Sequence, residues 1–278
     1  MKQILNKLGL TDEFTISSRN KLEKNNRDSG ILIRSKSISE RKKDMTFFTV
    51  SLAGLNIGVR AIRPAIKTFC REFLTEGEPA FSVAIEEADL DYERSINEGQ
   101  WTATCLETLA LLRKVSDQLI NHDTLLFHGS AVAAGGKAYI FTAPSGTGKT
   151  THTRLWLDTV PGAHVLNGDK PFLRLENGRV LACGSPWRGK ENLGINEILP
   201  LEAICILERD EVNHIEPIKG EKALGTLVRQ TYRPKDPKLM LKALQLIGQA
   251  GQCVRLYRLG CNMDPEAAGI SSRAMIGT

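Results

Sequence analysis

The stretch APSGTGKT at residues 143–150 constrains this chain more than any other feature. Lys137 to Phe141 before it reads as a strand, and THTRLWL at 151–157 after it reads as a helix with Leu155 and Leu157 as core candidates. A Gly-rich turn between a strand and a helix N-terminus points backbone N–H groups inward and forms a cradle for concentrated negative charge. Gly146 and Gly148 let the backbone approach phosphates with no Cβ in the way, Lys149 bridges the β- and γ-phosphates, and the Thr150 hydroxyl ligates magnesium. Ser145, Thr147 and Thr151 complete the expected nucleotide-binding set. The strict Walker A pattern opens on Gly and this one opens on Ala143, so the match is to the relaxed form. ATP and Mg2+ are the expected ligands, and phosphoryl transfer is the expected chemistry.

Such transfer needs a carboxylate to hold the metal or accept the proton of an attacking hydroxyl. Asp169, in HVLNGDKPFLRL, stands at the expected end of a strand about twenty residues past the loop, where phosphate-loop proteins place a second acid. The plain alternative is a turn residue. His128, in FHGSA, is a candidate catalyst near a strand end, with Ser130 as a residue that orients it; a structural histidine is the competing reading. Arg188 and Lys190, in GSPWRGK, offer positive charge for a transferred phosphoryl group or an anionic substrate, with Arg233 a weaker candidate. Solvated surface charge is the alternative for all three.

The chain has 278 residues, 41% hydrophobic and 25% charged, an ordinary globular composition with length for one large core or two modest ones. No run of about 18 apolar residues and no secretory leader is read, so no membrane partner and a cytoplasmic location are expected. Six cysteines are scattered without a CxxC pair, which points to reduced packing residues rather than a zinc or redox site. The net charge of +5 resides in residues 1–45, with 11 Lys or Arg against 6 Asp or Glu; the rest balances at 26 against 26. A nucleic-acid partner is therefore not expected.

Three segments follow from composition and periodicity. Residues 1–45 read as a disordered basic tail. Residues 46–100 read as a small α+β unit, with strands in FFTVSLAGLNIGVRAI, a helix over 64–75 and a strand over 80–85. Residues 101–278 read as the phosphate-loop domain. It opens on an amphipathic helix carrying Leu106, Leu109, Leu112, Val115 and Leu119, then a strand and a Gly135-Gly136 hairpin. Strands at 201–207, 215–218 and 254–259, a helix over 237–250, and a terminal helix capped by Asp264 with Pro265 at its first position complete the reading.

FHGSAVAAGGKAYIFTAPSGTGKTTHTRLW, with NGDKPFLR, GSPWRGK and CNMDPEA, resembles the HPr kinase/phosphorylase-related family of the PEP carboxykinase-like superfamily, over roughly residues 46–270. His128, Lys149, Thr150, Asp169 and Arg188-Gly189 match the family's features. The resemblance implies an α/β fold, a PEP carboxykinase-like (HPr kinase C-terminal-like) domain with mixed sheets behind the small N-terminal unit, and homo-oligomers. Two features depart from the family: its acidic pair is reduced to Gly168-Asp169, and the Glu of its Arg-Gly signature has no counterpart beside Trp187. A further acid such as Glu191 would then have to contribute, or the chemistry is slowed or absent. The leading expectation is an ATP/Mg-dependent kinase acting on a hydroxyl of a peptide, protein or small molecule. The alternatives are a PEP carboxykinase-type lyase and a nucleotide-binding regulatory module without turnover.

Overall fold

The computed structural model describes residues 45–277, so the tail expected over 1–45 lies, but for Met45, outside the described residues. The protein is mixed α/β, and its contacts divide it into two units: Leu112 onward together with Leu52–Leu55 counts with the larger, and Asn56–Leu111 with the described residues before Leu52 forms the smaller.

The smaller unit is built on a four-stranded sheet ordered β3-β1-β2-β4, from β1 (Thr46–Leu52), β2 (Leu55–Ala61), β3 (Leu74–Thr75) and β4 (Phe81–Ala84). Helix α1 (Pro64–Phe69) is shorter than the periodicity predicts, because a 3-10 turn over Arg71–Phe73 drops Phe73 into the core and returns the chain to β3. Helix α2 (Glu87–Ile96) is absent from the sequence reading. It buries only Leu90 and Glu93, too little for a periodic signal, and its start is set by a reciprocal capping box between Glu86 and Asp89. Helix α3 (Ala103–Asn121) supplies Glu107, whose fully buried carboxylate accepts the N–H of Ile62 at 2.6 Å and of Arg63 at 3.2 Å. The Arg63 guanidinium completes the arrangement at 3.0 Å, so a buried charge is paired and anchors the entry to α1.

The larger unit carries a nine-stranded mixed sheet running β5-β9-β10-β11-β7-β6-β8, with β13 added beside β11 and β12 beside β13. Its strands are β5 (Thr124–Leu126), β6 (Ser130–Ala134), β7 (Lys137–Thr142), β8 (His164–Asn167), β9 (Phe172–Glu176), β10 (Arg179–Cys183), β11 (Ile198–Arg209), β12 (His214–Pro217) and β13 (Arg255–Cys261). Helix α4 is Lys149–Thr159, α5 is Gly220–Gln230, α6 is Pro237–Cys253 and α7 is Glu266–Ile276. Strand β11 is parallel to β7 and β13; β6 is antiparallel to both β7 and β8.

Period-two alternation splits the central strands between two cores. Tyr139, Phe141, Ala203, Cys205 and Leu207 pack beneath α4 and α7, while Ala138, Ile140, Ile204 and Ile206 pack with residues of α5 and α6. A strand covered on both faces must be apolar nearly throughout, which is why β7 and β11 read as continuous hydrophobic runs. On α4 the buried residues are His152, Thr153 and Trp156, and the expected Leu155 and Leu157 are only partly buried. Trp156 is large enough to fill the space over Tyr139 and Phe141, with ring centroids 5.3 and 5.0 Å away. Three cysteines, Cys70, Cys183 and Cys205, are buried; Cys253 is exposed, and all six are free. Helix α7 begins at Glu266 without a side-chain cap, and it is the backbone carbonyl of Asp264, not its carboxylate, that accepts from Ala267. Among the described residues, no helix is long and apolar enough to cross a membrane.

The loop over residues 184–195 packs against the end of β8. Gly168 N–H donates to the Leu193 carbonyl at 3.0 Å, and Ile195 N–H donates to the Leu166 carbonyl at 3.1 Å. A Cβ on Gly168 would lie 2.7 Å from the Arg188 carbonyl oxygen, so this position rejects any side chain unless the loop moves. Gly189 has φ +76° and faces Asp169 so closely that a Cβ there would stand 2.9 Å from the Asp169 Cβ.

Two stability measurements test these contacts. Gly189→Ala and Gly162→Ala both place Ala at positive φ, a cost of about 1–2 kcal/mol, but a Cβ at Gly162 meets nothing within 4 Å. Urea unfolding is expected to find Gly189→Ala the more destabilised; equal losses would mean that the Asp169 contact does not matter. The second measurement concerns His152, whose Nε2 lies 3.0 Å from Ser271 Oγ and whose Nδ1 is buried without a partner among the described residues. Burial pushes this imidazole down to about 4. The unfolded chain therefore binds the proton first, and stability falls as pH drops from about 6.5 toward 4, with a limiting slope of about 1.4 kcal/mol per pH unit. His152→Asn should flatten that slope between pH 7 and 5, and an unchanged slope would refute the assignment.

Candidate functional site

Five segments meet at one edge of the larger sheet, because β7 and β8 both end there and the antiparallel β6 begins there. They are the loop after β7, the turn after β8, the residues before β6, the C-terminal end of β11 and the end of α5. Three successive backbone amides hold the middle of this edge. Phe127 N–H donates to the Pro171 carbonyl at 3.0 Å, His128 N–H to the Gln230 carbonyl at 2.7 Å, and Gly129 N–H to the Asp169 carbonyl at 3.0 Å. An isolated bridge between Phe127 and Thr231 extends the second of these contacts.

The loop of residues 143–148 leaves β7 buried at Ala143 and becomes exposed at Pro144, Ser145 and Gly146. Gly146 and Gly148 take φ +81° and +126°, and a Cβ built on either would meet none of the described residues within 4 Å. Helix α4 is capped by Gly148 without a side-chain hydrogen bond, and its first internal bond runs from His152 N–H to the Gly148 carbonyl at 2.9 Å. The amides of Lys149, Thr150 and Thr151 precede that bond and have no acceptor within the helix. Thr147 Oγ1 donates to the Pro144 carbonyl at 3.0 Å, while Thr150 and Thr151 are exposed. The Lys149 ammonium folds back on the loop and donates to the carbonyls of Ala143 at 2.9 Å and Pro144 at 3.4 Å. Burial, reinforced by the charge of Lys170 and opposed by Asp169, pulls Lys149 down to about 8.

Asp169 is oriented by a residue that the sequence reading passed over. Asn167 is fully buried, and its Oδ1 accepts the N–H groups of Asp169 at 2.9 Å and Lys170 at 2.7 Å. Its Nδ2 donates to the carbonyl and hydroxyl of Ser185, both at 3.0 Å. The signal was available, since an Asn two residues before an Asp in a Gly-containing turn favours this Asx geometry. Asp169 Oδ1 stands 3.4 Å from His128 Nε2, and its Oδ2 stands 3.7 Å from the ammonium of the buried Lys170. Burial alone would push the carboxyl up; the contact with His128 and the positive charges of Lys170, His128 and Lys149 outweigh it and hold Asp169 below the ordinary range. Burial lowers the His128 imidazole, with Lys170 and Lys149 adding to the effect and the Asp169 contact opposing it. Lys170 is itself lowered by burial, against the pull of Asp169.

The candidates from sequence separate here. Asp169, His128 and Lys149 interact electrostatically at one edge, and Arg188 lies on the loop whose backbone touches Gly168. Ser130 does not orient His128: its hydroxyl accepts from Thr153 at 2.8 Å, and the His128 ring is held by Gln230 instead, with Nδ1 2.7 Å from Oε1. Glu191 forms an ion pair with Arg154 of α4 at 2.6 Å, so it serves as a tie between loop and helix. Lys190 is exposed and Arg233 half-buried. Arg209, at the end of β11, also went unread. Its guanidinium donates to the carbonyls of Gly146 at 2.5 Å and Thr147 at 3.4 Å, which braces the loop. The cavity beside it, about 460 Å³, is lined by residues 144–147 and 207–209.

No family model and no curated protein matches this chain. Solved structures do match, and among them is the Hpr(Ser) kinase/phosphatase from Coxiella burnetii, 9% identical, with a TM-score of 0.31 over 54% of this chain and 96% of that one.

Proposed function

We propose that the chain binds ATP with Mg2+ on residues 145–151 and transfers the γ-phosphoryl group to a hydroxyl of a peptide, protein or small molecule. One observation carries this reading: the Gly-rich loop with Lys149 and the Asp169–His128 pair stand on the same sheet edge, close enough for their charges to interact. A loop that presents helix N-terminal amides and an ammonium binds phosphate, and a carboxylate beside an imidazole handles a proton.

In this reading the amides of Gly146, Gly148 and the first turn of α4 donate to the phosphate oxygens. Lys149 exchanges the carbonyls of Ala143 and Pro144 for them. The Thr150 hydroxyl and the Asp169 carboxylate are the residues that would hold magnesium, which neutralises phosphate charge when bound. A carboxyl kept below the ordinary range suits that task, because it stays ionised at neutral pH. Arg188, on the loop against Gly168, supplies positive charge toward the transferred group. The acceptor hydroxyl loses its proton to the Asp169–His128 pair.

The reading of a nucleotide-binding module without turnover draws on one observation. Gly168 rejects a side chain against the Arg188 carbonyl, so a second carboxylate does not fit beside Asp169.

Incubation with labelled ATP and candidate hydroxyl acceptors separates the two. Transfer that Lys149→Ala reduces by about 100-fold or more supports the kinase; ATP binding with no transfer to any acceptor supports the module, and transfer indifferent to Lys149→Ala removes the kinase assignment. The pH dependence of affinity provides another test. The protonated ammonium is the form that binds phosphate, and Lys149 in the free protein loses its proton at about 8. Bound phosphate raises that value, so binding takes up a proton and affinity should fall as pH rises above about 8. Calorimetry at pH 7 and 9 is expected to show this for wild type and not for Lys149→Arg, whose charge persists; parallel curves would refute it.

A further inference from the structure

Gln230 is the last residue of α5, 7% exposed, and it grips His128 twice. Its backbone carbonyl accepts the His128 N–H at 2.7 Å, and its side-chain Oε1 lies 2.7 Å from Nδ1 of the ring. A carbonyl oxygen has only lone pairs to offer, so the proton in that contact belongs to Nδ1. A neutral imidazole protonated on Nδ1 has a bare Nε2, and here Nε2 faces Asp169 Oδ1 at 3.4 Å. Two acceptors set side by side form a place for one proton, held jointly. Were Gln230 to present its amide NH2 instead, Nε2–H would already point at Asp169 and that place would be filled.

We propose that Gln230 is a positioning residue that holds His128 as its Nδ1–H tautomer and so leaves the Nε2 lone pair, beside Asp169, to take the proton of the acceptor hydroxyl. This rests on the kinase reading above and deepens it. The hydroxyl O–H bond breaks with its proton passing to Nε2, and the freed pair forms the bond from oxygen to the γ-phosphorus. The bond from that phosphorus to the β,γ-bridging oxygen breaks, and its pair leaves on the nucleoside diphosphate. The proton held between imidazole and carboxylate then passes to solvent. The charged groups facing the ring are Asp169 and Lys170 after β8 and Lys149 at the start of α4. With the Nε2 lone pair of His128 taking the proton, Asp169 is released to hold metal. One carboxylate then serves where two tasks had to be met.

The test begins without any substrate. Nitrogen-15 NMR of the imidazoles in the full chain at pH 8, with the His128 signals assigned by their loss in His128→Gln, should show Nδ1 protonated and Nε2 as a bare acceptor. Gln230→Leu, which keeps the side-chain bulk and removes the acceptor, should shift the population toward Nε2–H; Gln230→Glu, which keeps an acceptor, should hold Nδ1–H. A wild-type ring protonated on Nε2, or a tautomer unmoved in a Gln230→Leu variant with native circular dichroism, overturns the proposal. With an acceptor in hand, Gln230→Leu should lower kcat by about 10- to 100-fold at unchanged KM for ATP. Gln230→Glu should restore most of it, with the acidic limb of the rate profile moved to higher pH. An unchanged kcat in Gln230→Leu overturns the role in proton transfer even if the tautomer moves. Failure of the kinase reading looks different, because transfer is then absent in wild type while the NMR result stands.

Discussion

The N–H groups of Phe127, His128 and Gly129 decide where the rest of the candidate site can stand. Each donates to a different carbonyl, two on the turn after β8 and one at the end of α5, at 2.7 to 3.0 Å. The chain is there crossing from β5, which pairs with β9, to β6, which pairs with β7 and β8. Buried backbone amides that leave a ladder must find other acceptors. By finding them on Pro171, Gln230 and Asp169, this crossing fixes the imidazole of His128 against a carboxylate forty residues away in sequence and an amide a hundred away.

A second layer of polar satisfaction keeps this arrangement from being too costly. Asn167 uses Oδ1 for two donors and Nδ2 for two acceptors, which is close to the full capacity of an amide. Ser185 passes the network on to the Lys170 carbonyl at 2.6 Å. A buried ammonium at Lys170 would be expensive alone, and its proximity to Asp169 offsets part of that expense while holding the carboxylate ionised. Burial thus displaces Lys149 and His128 downward, while for Asp169 burial acts upward and the contact with His128 and the neighbouring positive charges bring it down.

Much of this was legible in the sequence where a local rule applies. The strand, Gly-rich loop and helix around Lys149 announce themselves through spacing, and so does the Gly135-Gly136 hairpin ahead of them. Asp169 was legible for the same reason, as an acid at a strand end. What escaped depends on partners far apart in the chain. Gln230 reaches His128 only through the packing of α5, Arg209 reaches the loop because β11 outruns β7, and Glu191 is taken by Arg154 across two elements. Ser130 does not act on His128 because its hydroxyl is taken by Thr153 of α4, while the imidazole is held by Gln230, a partner a hundred residues on. Helix α2 carries too few buried positions for periodicity to reveal it, whereas α5 has Ala223, Leu227 and Val228 buried at helical spacing and was legible but not read.

The parallel pairing of β7 with β11 has a bearing on biosynthesis. Ala138 is opposite Leu201, and Thr142 is opposite Ile206, so the strand that ends in the Gly-rich loop waits about sixty residues for its partner. At typical elongation rates that interval is on the order of 3–12 s, during which one apolar edge of β7 stands unpaired on the nascent chain. Such an edge invites pairing with the wrong strand. The period in which this protein is most exposed to misassembly therefore falls during its own translation, between the emergence of the loop and the emergence of β11.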